Sequence, residues 1–139
     1  MRVVIDTNVL VAAFKSRRGS SYRLVSLLPS GKFLIAISVP LIIEYEDVLR
    51  RGKLPAAISE KDISDFIDFL CSVGYRQEIF FLWRPFLPDP SDDLVLEVAV
   101  AAGCDAIIAY NKRHFGKIGK FGLRVLDPRE FLAEIGVMS

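Results

Sequence analysis

Short apolar runs alternate along this chain with longer segments in which apolar residues recur at helical spacing. The runs of strand length cover residues 2–5, 33–37, 106–109 and 123–126, and residues 78–83 are a further candidate strand. Strands that alternate with helical segments are typical of a parallel sheet whose faces are covered by helices. The pattern therefore predicts an α/β fold with a central parallel sheet.

The predicted helices carry recognisable start and stop signals. The clearest begins at Ser59, where Ser59 and Asp62 form a capping-box pattern ahead of an apolar face. Another is expected from Ser91 to Ala102, with Gly103 ending it. The remaining predicted helices are a short one after Thr7, residues 20–29, residues 38–49 with Ser38 as N-cap, and a terminal helix opened by Asp127.

The length and apolar content fit one domain with a substantial core, spanning residues 1–139. The hydrophobic fraction is 52% and the mean hydropathy is +0.36. No apolar run reaches the roughly 18 residues that a membrane-spanning helix needs, so no membrane association is expected. The excess apolar surface indicates a buried sheet, a subunit interface, or both. Because no secretory signal pattern follows Met1, we expect a cytoplasmic protein.

The net charge of +1 gives no bulk electrostatic attraction to nucleic acid, but the basic residues are clustered. One cluster contains Lys15, Arg17, Arg18 and Arg23; the other contains Lys112, Arg113, Lys117, Lys120 and Arg124. Two interpretations are open: solvated loops, or a rim that faces phosphate groups. Because both clusters follow strands that lead into candidate site residues, the second interpretation makes them candidate substrate contacts.

Cysteine and histidine usage excludes two kinds of site. Cys71 and Cys104 lie far apart and neither belongs to a CxxC pair, so no zinc site is indicated. His114 is the single histidine, which excludes a histidine-rich metal centre and leaves a Ser-His-Asp triad only one candidate base. His114 follows two cations, and it is either a surface residue or a phosphate contact.

Acidic residues stand where a sheet of this kind binds ligands. Asp6 directly follows the apolar run 3–5, and ligands of open α/β sheets bind outside the carboxyl ends of the strands. Glu44 and Asp92 follow apolar segments that can bring them to the same edge. Clustered carboxylates hold a hard divalent cation. The alternative for Asp6 is that Asn8, or the amides of the following helix, satisfy its charge; if Asp6 is functional, Asn8 is expected to orient it.

The other two acids have explanations that involve no ligand. Arg50 and Arg51 are candidate pairing partners for Glu44 along its own helix. Asp92 belongs to the run 89–92, in which an N-cap aspartate, a proline and an acid at the third helical position form ordinary helix-start chemistry. The same pattern recurs at residues 127–130, where a capping box explains every residue.

A fourth ligand is expected after the strand 106–109, where Asn111 offers a neutral amide oxygen. Asp105 precedes that strand and is expected at the opposite edge of the sheet. Asp93 and Asp89 are better reserve ligands.

Together these residues resemble the PIN domain, the nuclease fold of VapC-type toxins. Residues 6–10, Asp-Thr-Asn-Val-Leu, match the opening motif, and residues 38–44, ending in Glu44, resemble the second. Asp92 stands seven residues ahead of Ala99 and eleven ahead of Gly103, as the third acid of the family does. Residues 109–115 resemble the closing segment, with Asn111 where the family has an acid.

The resemblance covers nearly the whole chain and carries definite expectations. It implies a three-layer α/β/α sandwich, and endoribonuclease activity that depends on Mg²⁺ or Mn²⁺. It assigns Asp6 and Asp92 as metal ligands, Glu44 as a ligand directly or through water, and Asn111 as an auxiliary one. It also implies a toxin of a toxin–antitoxin pair, with RNA as substrate, a small antitoxin protein as partner, and a homodimer. Whether one metal binds or two is left open.

Two rival functions come from other classes. A phosphatase of the haloacid dehalogenase class also begins with an aspartate after a strand. Its chemistry requires a second acid two residues later as proton donor, and position 8 is Asn. The other rival is a catalytically weak or inactive PIN-like module that binds RNA or protein. Asn111 and the small net charge are the observations in its favour.

Overall fold

The computed structural model describes residues 1–79, 87, 89–116 and 122–137. In chain order its strands and helices are β1 (Arg2–Ile5), α1 (Thr7–Lys15), α2 (Ser20–Ser26), β2 (Leu34–Ile37), α3 (Val39–Arg51), α4 (Glu60–Val73), β3 (Tyr75–Arg76), α5 (Pro90–Ala101), β4 (Ala106–Ile108), β5 (Arg124–Leu126) and α6 (Pro128–Glu134). Two short 3-10 helices, Leu28–Ser30 and Lys112–Phe115, complete the described elements.

The five strands form one parallel sheet in the order β3-β2-β1-β4-β5. Val3 of the central strand β1 pairs with Ile35 on one side and with Ala106 on the other. Residues 3–5 and 106–108 are completely buried, as expected for central strands covered on both faces. The predicted parallel sheet flanked by helices is confirmed.

Local capping explains where the helices begin. Ser38 accepts a hydrogen bond from the Leu41 N–H at the start of α3. At the start of α4, Ser59 Oγ accepts from the Asp62 N–H at 3.1 Å while the Asp62 carboxylate accepts from the Ser59 N–H at 2.9 Å. This is the capping box that the sequence predicts, and it satisfies two N–H groups that the helix itself leaves unpaired.

Two predicted elements differ from the structure. The helix expected over 20–29 ends at Ser26, because Pro29 lacks the N–H that a longer α-helix needs; the chain continues as the 3-10 helix instead. The candidate strand over 78–83 is not present at residues 78–79, and residues 80–83 lie outside the described part of the chain. The edge strand is β3, two exposed residues whose pattern carries no apolar alternation.

Across the described ranges, no helix is long and apolar enough to cross a membrane.

Candidate active site

The central strand fixes the position of Asp6. The Asp6 backbone N–H donates to the Ile108 carbonyl at 2.9 Å, which extends the pairing of β1 and β4 one residue past the end of β1. Asp6 therefore lies at the carboxyl edge of the sheet, and it is only 5% exposed. It also precedes α1, yet its side chain makes no capping hydrogen bond to that helix. The carboxylate is thus not consumed by helix capping.

Asp92 lies in the first turn of α5 and is also 5% exposed. Its Oδ2 atom is enclosed and has no hydrogen-bond partner among the described residues. A buried carboxylate oxygen without a partner carries a desolvation cost that a bound cation would remove.

The helix-start explanation accounts for Asp89 but not for Asp92. Asp89 is the N-cap of α5 and accepts from the Ser91 N–H at 2.9 Å. At α6 the same sequence pattern closes a complete capping box, in which the Glu130 carboxylate accepts from the Asp127 N–H at 2.9 Å. No corresponding bond from the Asp92 carboxylate to the Asp89 N–H occurs in the described structure.

Glu44 lies half-buried on α3, and neither of its expected pairing partners engages it. Arg51 pairs with Asp47 at 2.8 Å, and Arg50 lies 3.6 Å from Glu46. The next residue, Tyr45, is completely buried and its hydroxyl donates to the Ile5 carbonyl of β1. This bond ties the helix that carries Glu44 to the strand that carries Asp6.

These elements enclose one cleft of about 180 Å³, which we call the acidic cleft. Its lining contains Asp6, Asn8, Glu44, Asp89, Asp92 and His114, together with Thr7, Val48, Arg51 and Ser91. Three acids that are remote along the chain therefore face a common space. In the described part of the chain, however, no three acidic, histidine or cysteine side chains lie close enough to form a ready-made metal site.

Burial and mutual repulsion disfavour the charged forms of the two innermost acids. Burial, followed by the nearby charge of Asp92, raises the pKa of Asp6 from 3.8 to about 6, and the Thr7 N–H and His114 only partly offset this. Burial and then Asp89 raise the pKa of Asp92, with His114 acting in the opposite direction. A cation in the acidic cleft would favour both charged forms.

Several predicted residues lie away from the acidic cleft. Asp93 is completely buried, and its carboxylate accepts from the Leu87 N–H at 3.0 Å. Asn111 is exposed and hydrogen-bonds to His114 instead of lining the cleft. Lys112 forms an ion pair with Glu130 on α6. Asp105 accepts from the Arg2 N–H at the opposite edge of the sheet, where the sequence places it.

His114, which the sequence predicts to be a surface residue or a phosphate contact, lies beside Asp92. Its Nδ1 atom is 3.2 Å from Asp92 Oδ2, an ion-pair distance if the imidazole is protonated, although the two atoms are not aligned as a hydrogen bond. The two residues are 22 positions apart. No local sequence pattern links His114 to Asp92. The one available signal is that His114 lies three positions after Asn111, which was a predicted site residue.

The first basic cluster surrounds a second space of about 360 Å³, which we call the basic cavity. Arg17, Arg18 and Arg23 line it, and none of these guanidinium groups forms an ion pair with another described residue. A hydrogen bond between Ser21 and Tyr110 holds α2 against the segment that follows β4, at the carboxyl edge of the sheet. Lys15 ends α1, a helix of nine residues and about 13 Å whose first residues line the acidic cleft.

Comparison with known proteins identifies a matching family and similar solved structures. A family model described as a PIN domain matches residues 2–113. Among solved structures, a chain in the crystal structure of VapBC2 from Rickettsia felis bound to a DNA fragment from their promoter is 18% identical, with a TM-score of 0.62. The alignment covers 91% of this chain and 100% of that chain. No curated protein matches.

Proposed function

The chain belongs to the PIN domain family, and from this premise we propose that residues 1–139 form one nuclease domain that hydrolyses RNA phosphodiester bonds in a metal-dependent reaction. The observation that carries the proposal is the buried Oδ2 of Asp92, which accepts no hydrogen bond from the described residues and lies in the same cleft as Asp6. Family membership supports a nuclease; the choice of RNA and the internal cleavage of the strand are part of the proposal.

The residues of the acidic cleft fit a hard divalent cation, because Asp6, Glu44 and Asp92 offer carboxylate oxygens to one space. Asp6 and Asp92 would hold Mg²⁺ or Mn²⁺, with Glu44 reaching it directly or through water. Such a cation lowers the pKa of a bound water and stabilises the charge that develops on phosphoryl oxygens. Asn8, on the first turn of α1, orients the Asp6 carboxylate. Asp89 lies at the rim and adds negative charge.

The test is cleavage of a mixed RNA panel by the purified protein. We expect internal cleavage with Mn²⁺ or Mg²⁺ and none in the presence of a chelator, because the acids alone supply no activated water. Restoring excess metal after chelation should restore the rate. Cleavage that continues unchanged in chelator would contradict the proposal.

The basic cavity supports the choice of a polyanionic substrate. Its three arginines form no ion pair with the described residues, and they lie at the same sheet edge as the acidic cleft. Backbone contacts of this kind position a nucleic acid without reading its sequence. Lys15, at the end of α1, and Arg113 and His114, beside the acidic cleft, would extend these contacts. Lys112 would have to leave Glu130 to take part.

Changing both Arg17 and Arg23 to glutamine is expected to weaken single-stranded RNA binding and flatten its salt dependence. Each lost phosphate contact lowers the slope of log K against log salt by about 0.7, so the double variant should lose about 1.4. Binding is measured by fluorescence anisotropy in the Asp6→Asn background, which prevents cleavage. Arg129→Gln, an exposed arginine on α6, is the control. An unchanged slope in the double variant would show that Arg17 and Arg23 of the basic cavity do not contact RNA phosphates.

The proposal extends to a toxin of a type II toxin–antitoxin pair that acts in the cytoplasm with a small antitoxin protein as its partner. Its support is family membership and the likeness in fold to a chain of the VapBC2 structure. Expression is expected to arrest growth, and a small co-expressed partner should relieve the arrest. Harmless expression of the wild type would instead favour a housekeeping nuclease.

A homodimer is also proposed. Val39 and Ile43 expose 64% and 62% of their surface on α3, which is apolar surface that a second copy would cover. Sedimentation equilibrium should give twice the 15.6 kDa of the chain, and a result at 15.6 kDa would contradict the dimer.

A second candidate function is a PIN-like module that binds RNA or protein without cleaving it. It is favoured by the lack of a ready-made three-ligand cluster in the described residues and by the engagement of Asn111 with His114. RNA binding without metal-dependent cleavage would support it. The phosphatase alternative has no support beyond Asp6, since Asn8 lacks the acid that its chemistry needs.

A further inference from the structure

Three side chains stand in a row from the exposed rim into the acidic cleft. The Asn111 amide nitrogen lies 3.0 Å from His114 Nε2, and His114 Nδ1 lies 3.2 Å from Asp92 Oδ2. The imidazole therefore bridges an exposed amide and the buried carboxylate that lacks a hydrogen-bond partner in the described structure.

The backbone builds this arrangement. Asn111 precedes the 3-10 helix Lys112–Phe115, and the His114 N–H donates to the Asn111 carbonyl at 3.2 Å. Side chains three residues apart eclipse one another in a 3-10 turn, which brings the amide onto the ring. Phe115, 2% exposed, anchors the turn in the core. The ring orientation is thus set by the 3-10 turn, which Phe115 anchors, and by the Asn111 amide at Nε2.

The chemistry of the amide fixes the proton on the ring. An amide nitrogen only donates, so His114 Nε2 must accept and a neutral imidazole must carry its hydrogen on Nδ1. Nδ1 is also the ring nitrogen that lies 3.2 Å from Asp92 Oδ2. An asparagine turned in this way does not offer its oxygen to a cation in the acidic cleft.

We propose that Asn111 is a positioning residue that holds His114 in the Nδ1–H form, with Nδ1 3.2 Å from Asp92 Oδ2, and that it is not a metal ligand. His114 in turn orients the Asp92 carboxylate, in the way that groups hydrogen-bonded to metal ligands do. The effect on metal binding rests on the proposed function. The ring orientation does not.

The first experiment uses the fact that His114 is the only histidine, so every imidazole signal belongs to it. Two-bond ¹H–¹⁵N correlation spectra of the metal-free protein, recorded where the ring is neutral, are expected to show the Nδ1–H form. Asn111→Ala should shift the ring toward the Nε2–H form that free histidine prefers. Arg113→Ala, whose side chain is a neighbour without contact to the ring, should leave the spectrum unchanged. A wild-type ring in the Nε2–H form would overturn the proposal.

The second experiment is a double-mutant cycle on Mn²⁺ affinity, measured by calorimetry. We expect Asn111→Ala to weaken binding by about tenfold, and to have no further effect when His114 is already Phe, because it acts through the ring. A full Asn111→Ala effect in the His114→Phe background would show that Asn111 contacts the metal and would overturn the proposal. Absence of Mn²⁺ binding by the wild type would contradict the proposed function while leaving the ring orientation to the spectra.

Discussion

Replacing Asp6 with asparagine is expected to lower the rate of Mn²⁺-dependent RNA cleavage by about 10²–10⁴-fold. The substitution removes the negative charge at the end of the central strand, where no other described side chain can replace it, and metal stabilisation of the reaction amounts to several kcal/mol. Because Asn has nearly the same shape and Asp6 makes no capping bond, the fold should persist. Single-turnover cleavage of labelled RNA measures the effect.

Asp68→Asn is the matched control, since it makes the same chemical change on the exposed face of α4. It should cleave at the wild-type rate. If Asp6→Asn retained full activity, the cleavage would come from a contaminating nuclease and the assignment of Asp6 would be lost.

The free energy of unfolding of the metal-free protein is expected to fall as the pH rises from about 4 to above 6, because Asp6 loses its proton over this range. The folded pKa of Asp6 is about 6, above its ordinary value of 3.8, so the folded state binds more protons between these values. The contribution of protonated Asp6 to the free energy of unfolding is therefore complete below about pH 3.8, and it is lost as the pH rises through about 6. A shift of about two units corresponds to roughly 3 kcal/mol.

Urea unfolding in chelator, for wild type and Asp6→Asn across this pH range, isolates the contribution. Asparagine stays neutral, so between pH 4 and 7 the wild type should lose roughly 2 kcal/mol relative to the variant, which is most of the full difference. Mn²⁺ added at pH 7 should stabilise the wild type more than the variant. A difference that does not vary with pH would show that Asp6 ionises in the folded protein as it does in the unfolded chain.

Features that depend on neighbours in sequence were predictable. The Ser59 and Asp127 capping boxes need only two residues that lie three positions apart. The buried strands appear in the sequence as apolar runs. Asp6 was predictable for the same reason, because the end of a strand and the edge of a parallel sheet are one place. The PIN resemblance rested on such local motifs in a fixed order.

Features that depend on which of several candidate partners a residue contacts could not be predicted from the sequence. Glu44 had two candidate arginines, but Arg50 and Arg51 pair with the acids four residues before them, the spacing that a helix favours. The contact between His114 and Asp92 joins distant segments, and no periodicity predicts it. Likewise β3 is too short and too exposed to leave an apolar signature.

The strand order has a consequence for the protein during its own synthesis. β1 lies between β2 and β4, so the strand that carries Asp6 is flanked on one side by residues made about a hundred positions later. A nascent chain on the ribosome holds Asp6 and Glu44 long before α5 and β4 emerge. The cleft is therefore assembled only after α5, which carries Asp92, and the segment after β4, which carries His114, have been synthesised.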